Sequence, residues 1–334
     1  MIKIAKMLDE EKKLIFESVA YQMRINPAII EKDYWVCLTL YYLFSFSSFK
    51  DHLVFKGGTC LSKVYNVIER FSEDIDLILD WRLLNYGILE PWNDRSKTKQ
   101  LKFIEETRIR LFQFLKNVFL PKFKEEMSKL LGFNINAYIR EDDLGTVLFE
   151  YPRLYDNNSI LNEIRIEIGT LASWEPNKDA TLVPYISKYY PNLFNNPIVN
   201  VKATTIERTF WEKITILHQE SHRPETSKMP NRYSRHYYDV YKIYQSELID
   251  KNSEKFIELL PKVAIFKDKF YPRAWARYDL ARIGTLKIVP KNIFMEQLKK
   301  DYQDMQDMIY DERPNFNELI DSIKKIEEDI NSLK

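Results

Sequence analysis

Two glycines, a threonine and a pair of aspartates carry the most chemical information in this chain. Val54-Phe55-Lys56 is a short apolar strand pattern that runs into Gly57-Gly58-Thr59. After one short helical stretch comes Ser72-Glu73-Asp74-Ile75-Asp76-Leu77-Ile78-Leu79. Alternation along a strand sends Asp74, Asp76 and Ile78 to one face and Ile75, Leu77 and Leu79 to the other. Two carboxylates side by side repel unless a cation answers them, and hard oxygen donors suit Mg2+, with Mn2+ as the alternative. Gly57 and Gly58 permit close backbone approach, and Thr59 opens a helix whose N-terminus favours phosphate. A nucleoside triphosphate with its metal fits such an arrangement.

Phosphoryl chemistry with two metals needs a third carboxylate. The strand Glu163-Ile164-Arg165-Ile166-Glu167-Ile168-Gly169 offers one: its isoleucines share a face, and Glu163, Arg165 and Glu167 share the other. Glu167, mid-strand, is the candidate, against a solvated strand face carrying an Arg–Glu pair. Lys63 and Arg70 lie on the intervening helix and its exit, where they reach either a phosphate or the surface. Ser72 stands at the lead-in to the aspartates.

The elements around these residues are legible from periodicity. Helices are expected over 9–22, 26–46 (opened by Asn26-Pro27) and 59–68, and over 96–131 with an interruption at Pro121. Strands are expected at 52–56, 74–79, 133–140, 146–151 and 161–169. From 205 onward the pattern is helical, over 205–220, 235–248 and 253–266. Phe294, Leu298, Tyr302, Met305 and Ile309 form one apolar stripe, and Phe316, Leu319, Ile323, Ile326 and Ile330 another; both read as core seams. The expected fold is α+β, an N-terminal domain around a mixed sheet at 1–201 and an α-helical bundle at 202–334.

In the helix from Thr205, Lys213 falls in line with Ile206, Phe210 and Leu217. A lysine in an apolar stripe either snorkels to water or meets an anion, and a triphosphate is such an anion. Asp239 opens the next helix, where it also suits the helix dipole. Two basic, aromatic-laced segments, 221–235 and 267–277, suit phosphates and stacked bases, or ordinary bundle surface.

The run from Phe55 through Lys63 to Glu69-Arg70-Phe71-Ser72-Glu73-Asp74-Ile75-Asp76, with Glu31-Lys32-Asp33-Tyr34-Trp35-Val36 upstream, resembles the AbiEii/AbiGii (MenA-like) nucleotidyl transferase toxins. These belong to the DNA-polymerase-β-like nucleotidyltransferase superfamily. The resemblance implies metal binding by Asp74, Asp76 and Glu167, and a helix lysine paired with a downstream aspartate, positions matched by Lys213 and Asp239. It also implies NTP as donor, a tRNA 3′ end as acceptor and a cognate antitoxin as partner. A small-molecule or protein hydroxyl as acceptor, or a catalytically silent nucleotide-binding regulator, are the competing readings.

Composition narrows the class. The chain has 334 residues, 45% of them hydrophobic, enough for one large core or two modest ones. Lys plus Arg number 50 against 49 Asp plus Glu, so no global field draws the protein onto nucleic acid or membrane. Cys37 and Cys60 are the two cysteines, which fits a reducing cytoplasm and disfavours a disulfide framework. The four histidines lack zinc spacing, and neither a signal peptide nor a membrane-spanning run is visible.

Overall fold

A computed structural model describes residues 1–156, 160–172, 174–306, 309 and 313–333. The chain divides into two compact units, one made of Met1–Val64 and Ser72–Thr204, the other of Tyr65–Phe71 and Thr205–Lys334.

The first unit is built on a mixed seven-stranded sheet. Its strands are β1 (Leu53–Lys56), β2 (Ile75–Leu79), β3 (Asn136–Arg140), β4 (Asp143–Glu150), β5 (Glu163–Gly169), β6 (Asn177–Leu182) and β7 (Val199–Thr204). They are ordered β3-β4-β5-β2-β1-β7-β6. β2 runs parallel to β5 and antiparallel to β1, while β7 runs parallel to β1. Its helices are α1 (Ile2–Ala5), α2 (Asp9–Met23), α3 (Pro27–Ser45), α4 (Gly57–Lys63), α5 (Lys97–Phe114), α6 (Leu120–Leu131) and α7 (Ile186–Tyr189). Asn26 caps α3 by accepting the Ala28 N–H at 2.9 Å, with Pro27 in the first turn, as the sequence signals. α3 is buried along nearly its whole length, and Trp35 stacks on Tyr151 with ring centroids 5.8 Å apart.

Three local features depart from the sequence expectation. Pro121 does not interrupt the long helix, because a π-helical turn at Leu115–Phe119 precedes it and places Pro121 in the first turn of α6, where its missing N–H costs nothing. The helix expected over 59–68 ends at Lys63, and Asn66 then takes a positive φ of 50° as the chain passes into the second unit. β6 and β7 were not legible as strands. β6 opens on the polar run Asn177-Lys178-Asp179, which carries no strand signal; the two pair antiparallel with each other, and only β7 reaches the rest of the sheet, through β1.

The second unit contains α8 (Ile206–Ser221), α9 (Ser234–Gln245), α10 (Glu254–Phe270), α11 (Met295–Met305) and α12 (Phe316–Asn331). α8 packs on α9 and α10, and α9 on α11 and α12. The apolar seams come from the expected stripes: Leu298, Tyr302 and Met305 are buried on α11, and Leu319, Ile323, Ile326 and Ile330 on α12. The first stripe's spacing crosses 307–308, which lie outside the described residues. No helix among the described residues is long and apolar enough to cross a membrane.

Candidate active site

β1 and β2 pair so that Lys56 lies opposite Asp76, and the chain turns sharply at the next residue, Gly57, with φ +81°. A Cβ at Gly57 would lie 1.9 Å from Asp76 Oδ2. Gly57 is therefore required twice, by its backbone angle and by the carboxylate lying against its Cα. Thr59 ties the motif to itself: its hydroxyl donates to the Asp74 carbonyl oxygen at 2.5 Å and lies 3.0 Å from Ser72 Oγ.

The third carboxylate stands where strand geometry places it. Asp76 and Glu167 are partners across the parallel β2–β5 pair, so their side chains share one face of the sheet. Asp74 lies just ahead of β2, beside Arg165. Further along that face Ile78 packs with Val54 and Ala172, against Trp174.

Arg165, two residues before Glu167, is drawn into the acids. It lies 3.7 Å from Asp74 Oδ1, 2.7 Å from Asp143 Oδ2 and 3.3 Å from Glu167 Oε1. Burial works against its charge, but Asp143, Glu167 and Asp74 outweigh that and hold its pKa above the usual arginine value. The cluster remains accessible, with side-chain exposures of 23% for Arg165, 24% for Asp74 and 42% for Glu167. Among the described residues, no group of three or more Asp, Glu, His or Cys closes into a metal cage. Mg2+ does not need one: it binds through one or two carboxylates and completes its shell with water and substrate phosphate. The donors Asp74, Asp76 and Glu167 fit a cation that arrives with its nucleotide.

The Glu-Lys-Asp run at the start of α3 is a buried brace rather than a solvated helix face. Lys32 donates to the carbonyls of Leu161 (2.8 Å) and Glu163 (2.7 Å) and lies 3.3 Å from Glu73. Glu73, between Ser72 and Asp74, also accepts the Leu161 N–H at 3.1 Å. Asp33 holds Lys63 at 2.5 Å and accepts the Tyr185 N–H at 2.7 Å, and the Lys63 ammonium lies 3.8 Å from the Tyr185 ring centroid. These contacts tie α3 to α4 and to the start of β5, fixing the segments that carry Gly57, Asp74 and Glu167. Glu31 accepts the Leu154 N–H at 2.7 Å but has no ion-pair partner among the described residues. Burial raises its pKa from 4.5 to about 7.

The second unit has a charged centre of its own. Arg70 donates from Nε and one Nη to the two oxygens of Asp239, each at 2.8 Å, and Lys213 Nζ lies 2.7 Å from the same carboxylate. Asp239 has no exposure and Arg70 and Lys213 have 7% each, so Lys213 does not snorkel. Burial opposes the Asp239 charge, yet Arg70 and Lys213 hold its pKa well below the usual carboxylate range. Burial lowers the pKa of Lys213, and Asp239 counters that only in part. Two cations on one carboxylate leave one positive charge over, with Arg235 adding to it.

The basic segments are partly spent internally. Arg223 is locked onto Glu220 at 2.5 and 2.9 Å, and Arg277 onto Asp279 at 3.0 Å. Asp143 was not singled out in the sequence, and neither the reach of Arg165 to Asp74 and Asp143 nor the pairing of Arg70 with Asp239 was expected. The two-residue spacing of Arg165 from Glu167 was the signal for the first of these contacts.

The model of the AbiEii nucleotidyl transferase toxin family, of the type IV toxin–antitoxin system, matches residues 39–323. The chain belongs to that family. It is thus a nucleotidyltransferase of the toxin–antitoxin kind, and membership implies an NTP substrate and a cognate antitoxin. Among curated proteins, none matches this sequence. Among solved structures, MenT4, a nucleotidyltransferase toxin from Mycobacterium tuberculosis H37Rv, is 15% identical, with a TM-score of 0.46 over 94% of this chain and 96% of that one.

Proposed function

We propose that this AbiEii-family chain transfers NMP from an NTP to an RNA hydroxyl, a tRNA 3′ end being the favoured acceptor, in a Mg2+-dependent reaction. The observation that carries this reading is the facing of Asp76 and Glu167 across β2 and β5, with Asp74 brought to the same cluster by its contact with Arg165. Asp74 and Asp76 would hold the cations, and Glu167 would share one of them. Bound magnesium supplies the positive charge that stabilises the transferring phosphoryl group, and Mn2+ accepts the same donors.

In the transfer, the acceptor oxygen bonds to the α-phosphorus and the bond to the β-phosphate oxygen breaks. Pyrophosphate leaves with the electron pair, and the hydroxyl proton passes to Glu167. Gly57 and Gly58 are the candidate phosphate cradle, kept in shape by the Thr59 and Ser72 hydroxyls. Lys63 acts through Asp33 as a brace of that turn. The surplus positive charge of the Arg70–Asp239–Lys213 centre suits a triphosphate, with Lys213 as its contact and Asp239 holding Lys213 in place.

The test is incubation of purified protein with each α-labelled NTP and total RNA, with Mg2+ or with EDTA. Label is expected in RNA, absent in EDTA, and reduced on the order of 100-fold or more by Asp76→Asn, since metal stabilisation of the transferring group is worth several kcal/mol. Label appearing only on protein or on a small molecule would overturn the RNA assignment, and transfer undiminished in EDTA would overturn the metal.

A further inference from the structure

The second unit contains a cavity of about 630 Å3 lined by residues from three stretches of chain. Ligand pockets run from roughly 300 to 1,000 Å3, and a single nucleotide falls inside that range. The buried side consists of Arg70, Phe71 and Met305, the rim of exposed groups such as Arg232 and Lys300.

The charge of this cavity is positive and its disposition is specific. Arg70 is committed to Asp239 through two hydrogen bonds. Asp301 is occupied too: its carboxylate accepts the backbone N–H of Arg232 and, at 2.8 Å, that of Ser234. That grip holds Arg232 at φ +64° over the cavity wall. Arg232, Arg235 and Lys300 have no ion-pair partner among the described residues, and two acids, Asp301 and Asp304, share the cavity with them. Three cations against the two carboxylates of Asp301 and Asp304 leave a surplus of one positive charge suited to a phosphodiester, Phe71 and Met305 give an apolar wall for a base, and the Asn231 amide, with what the Gln297 amide keeps free beyond its bond to the Met229 carbonyl, supplies donors and acceptors for its edge. The cations disfavour a bare metal, and the charges and amides together disfavour an apolar ligand.

We propose that this cavity takes one nucleotide of the acceptor RNA strand, its phosphate on Arg232, Arg235 and Lys300 and its base against Phe71. The assignment rests on the RNA-acceptor reading above and gives that reading a binding surface. It also moves the RNA contact from the 267–277 segment, where Arg277 is spent on Asp279, to the α9 entrance and α11.

The test measures binding of a tRNA transcript and of a short single-stranded RNA to the full chain across a salt series, beside binding of free NTP and NMP. The variants are Arg232→Glu, Lys300→Glu and the double reversal, with Lys300→Arg as the conservative control. RNA affinity should fall at least about 10-fold in the double variant, and the log–log salt slope should shrink by about 0.7 for each lost phosphate contact. The KM for RNA should rise while kcat stays, NTP affinity should be unchanged, and Lys300→Arg should restore wild-type binding. RNA affinity unaltered by the double reversal would overturn the pocket while leaving the RNA-acceptor reading intact. Loss of free-nucleotide binding without loss of RNA binding would overturn the RNA assignment of the pocket. Absence of any RNA binding or labelling by the wild type would overturn both readings.

Discussion

The two units each gather charge around one residue of opposite sign, and the two gatherings are near mirror images. In the first unit one cation, Arg165, sits among three carboxylates, Asp74, Asp143 and Glu167, in a partly exposed setting. In the second unit one carboxylate, Asp239, sits between two cations, Arg70 and Lys213, with almost no exposure. The first is left negative and within reach of solvent, so it can take up a cation as a ligand. The second is left positive and desolvated, so its internal pairs are structural necessities and only the surplus charge is available to an anion. The same ingredients in different proportion and depth make one cluster the proposed seat of a cation and the other a buried anchor.

The sharpest way to break this contrast is Asp239→Asn. It leaves Arg70 and Lys213 facing each other without an anion, and stability should drop by about 3–5 kcal/mol. Urea denaturation checks this; a loss under 1 kcal/mol would mean that the centre is not held by the carboxylate.

Glu31 supplies the next test, as a buried acid with no ion-pair partner among the described residues. Its carboxyl titrates near 7 in the folded chain and near 4.5 when unfolded. Between those values the folded state keeps a proton that the unfolded state has released, so stability should fall as pH rises through that window and level off above it, by roughly 3 kcal/mol. Glu31→Gln should flatten the denaturation midpoint against pH. An unchanged profile would show that Glu31 ionises freely.

Lys213→Met keeps the Arg70–Asp239 pair and removes the surplus charge. Thermal stability should hold or rise, while NTP affinity by calorimetry falls about 10- to 100-fold, the loss of a charge-assisted contact worth roughly 1.5–3 kcal/mol. Unaltered affinity would make Lys213 structural only.

Arg165→Met is expected to have the smallest effect on folding, below about 1 kcal/mol, because the cluster is partly solvated. It should nevertheless raise Mn2+ affinity several-fold in titrations monitored by electron paramagnetic resonance, since a competing cation is gone. Weaker Mn2+ binding would show that Arg165 organises the acids rather than competing for them.

Much of the first cluster was visible in the sequence. Gly57 to Asp76 is read within twenty residues, and strand alternation alone puts Asp74 with Asp76 and Arg165 with Glu167. The second cluster was only half visible. Lys213 stood out as a charge in an apolar stripe; Asp239 was expected in a helix's first turn, but α9 starts at Ser234 and carries it further in, and nothing in the chain announced that Arg70 would reach Asp239, 169 residues away. Lys32 and Asp33 stood in the sequence only as part of the run that carries the family resemblance and proved to be buried braces, because the carbonyls of Leu161 and Glu163 and the amide of Tyr185 that satisfy them belong to distant segments.

The sequence by itself determined which residues can do chemistry and which side of their own element they occupy, since side-chain direction along a strand or helix follows from local periodicity. It determined the helical stripes of the second half for the same reason. Only the tertiary structure decided which charges neutralise which. Ion pairing depends on distances between segments far apart in the chain, and on a desolvation that no local pattern encodes.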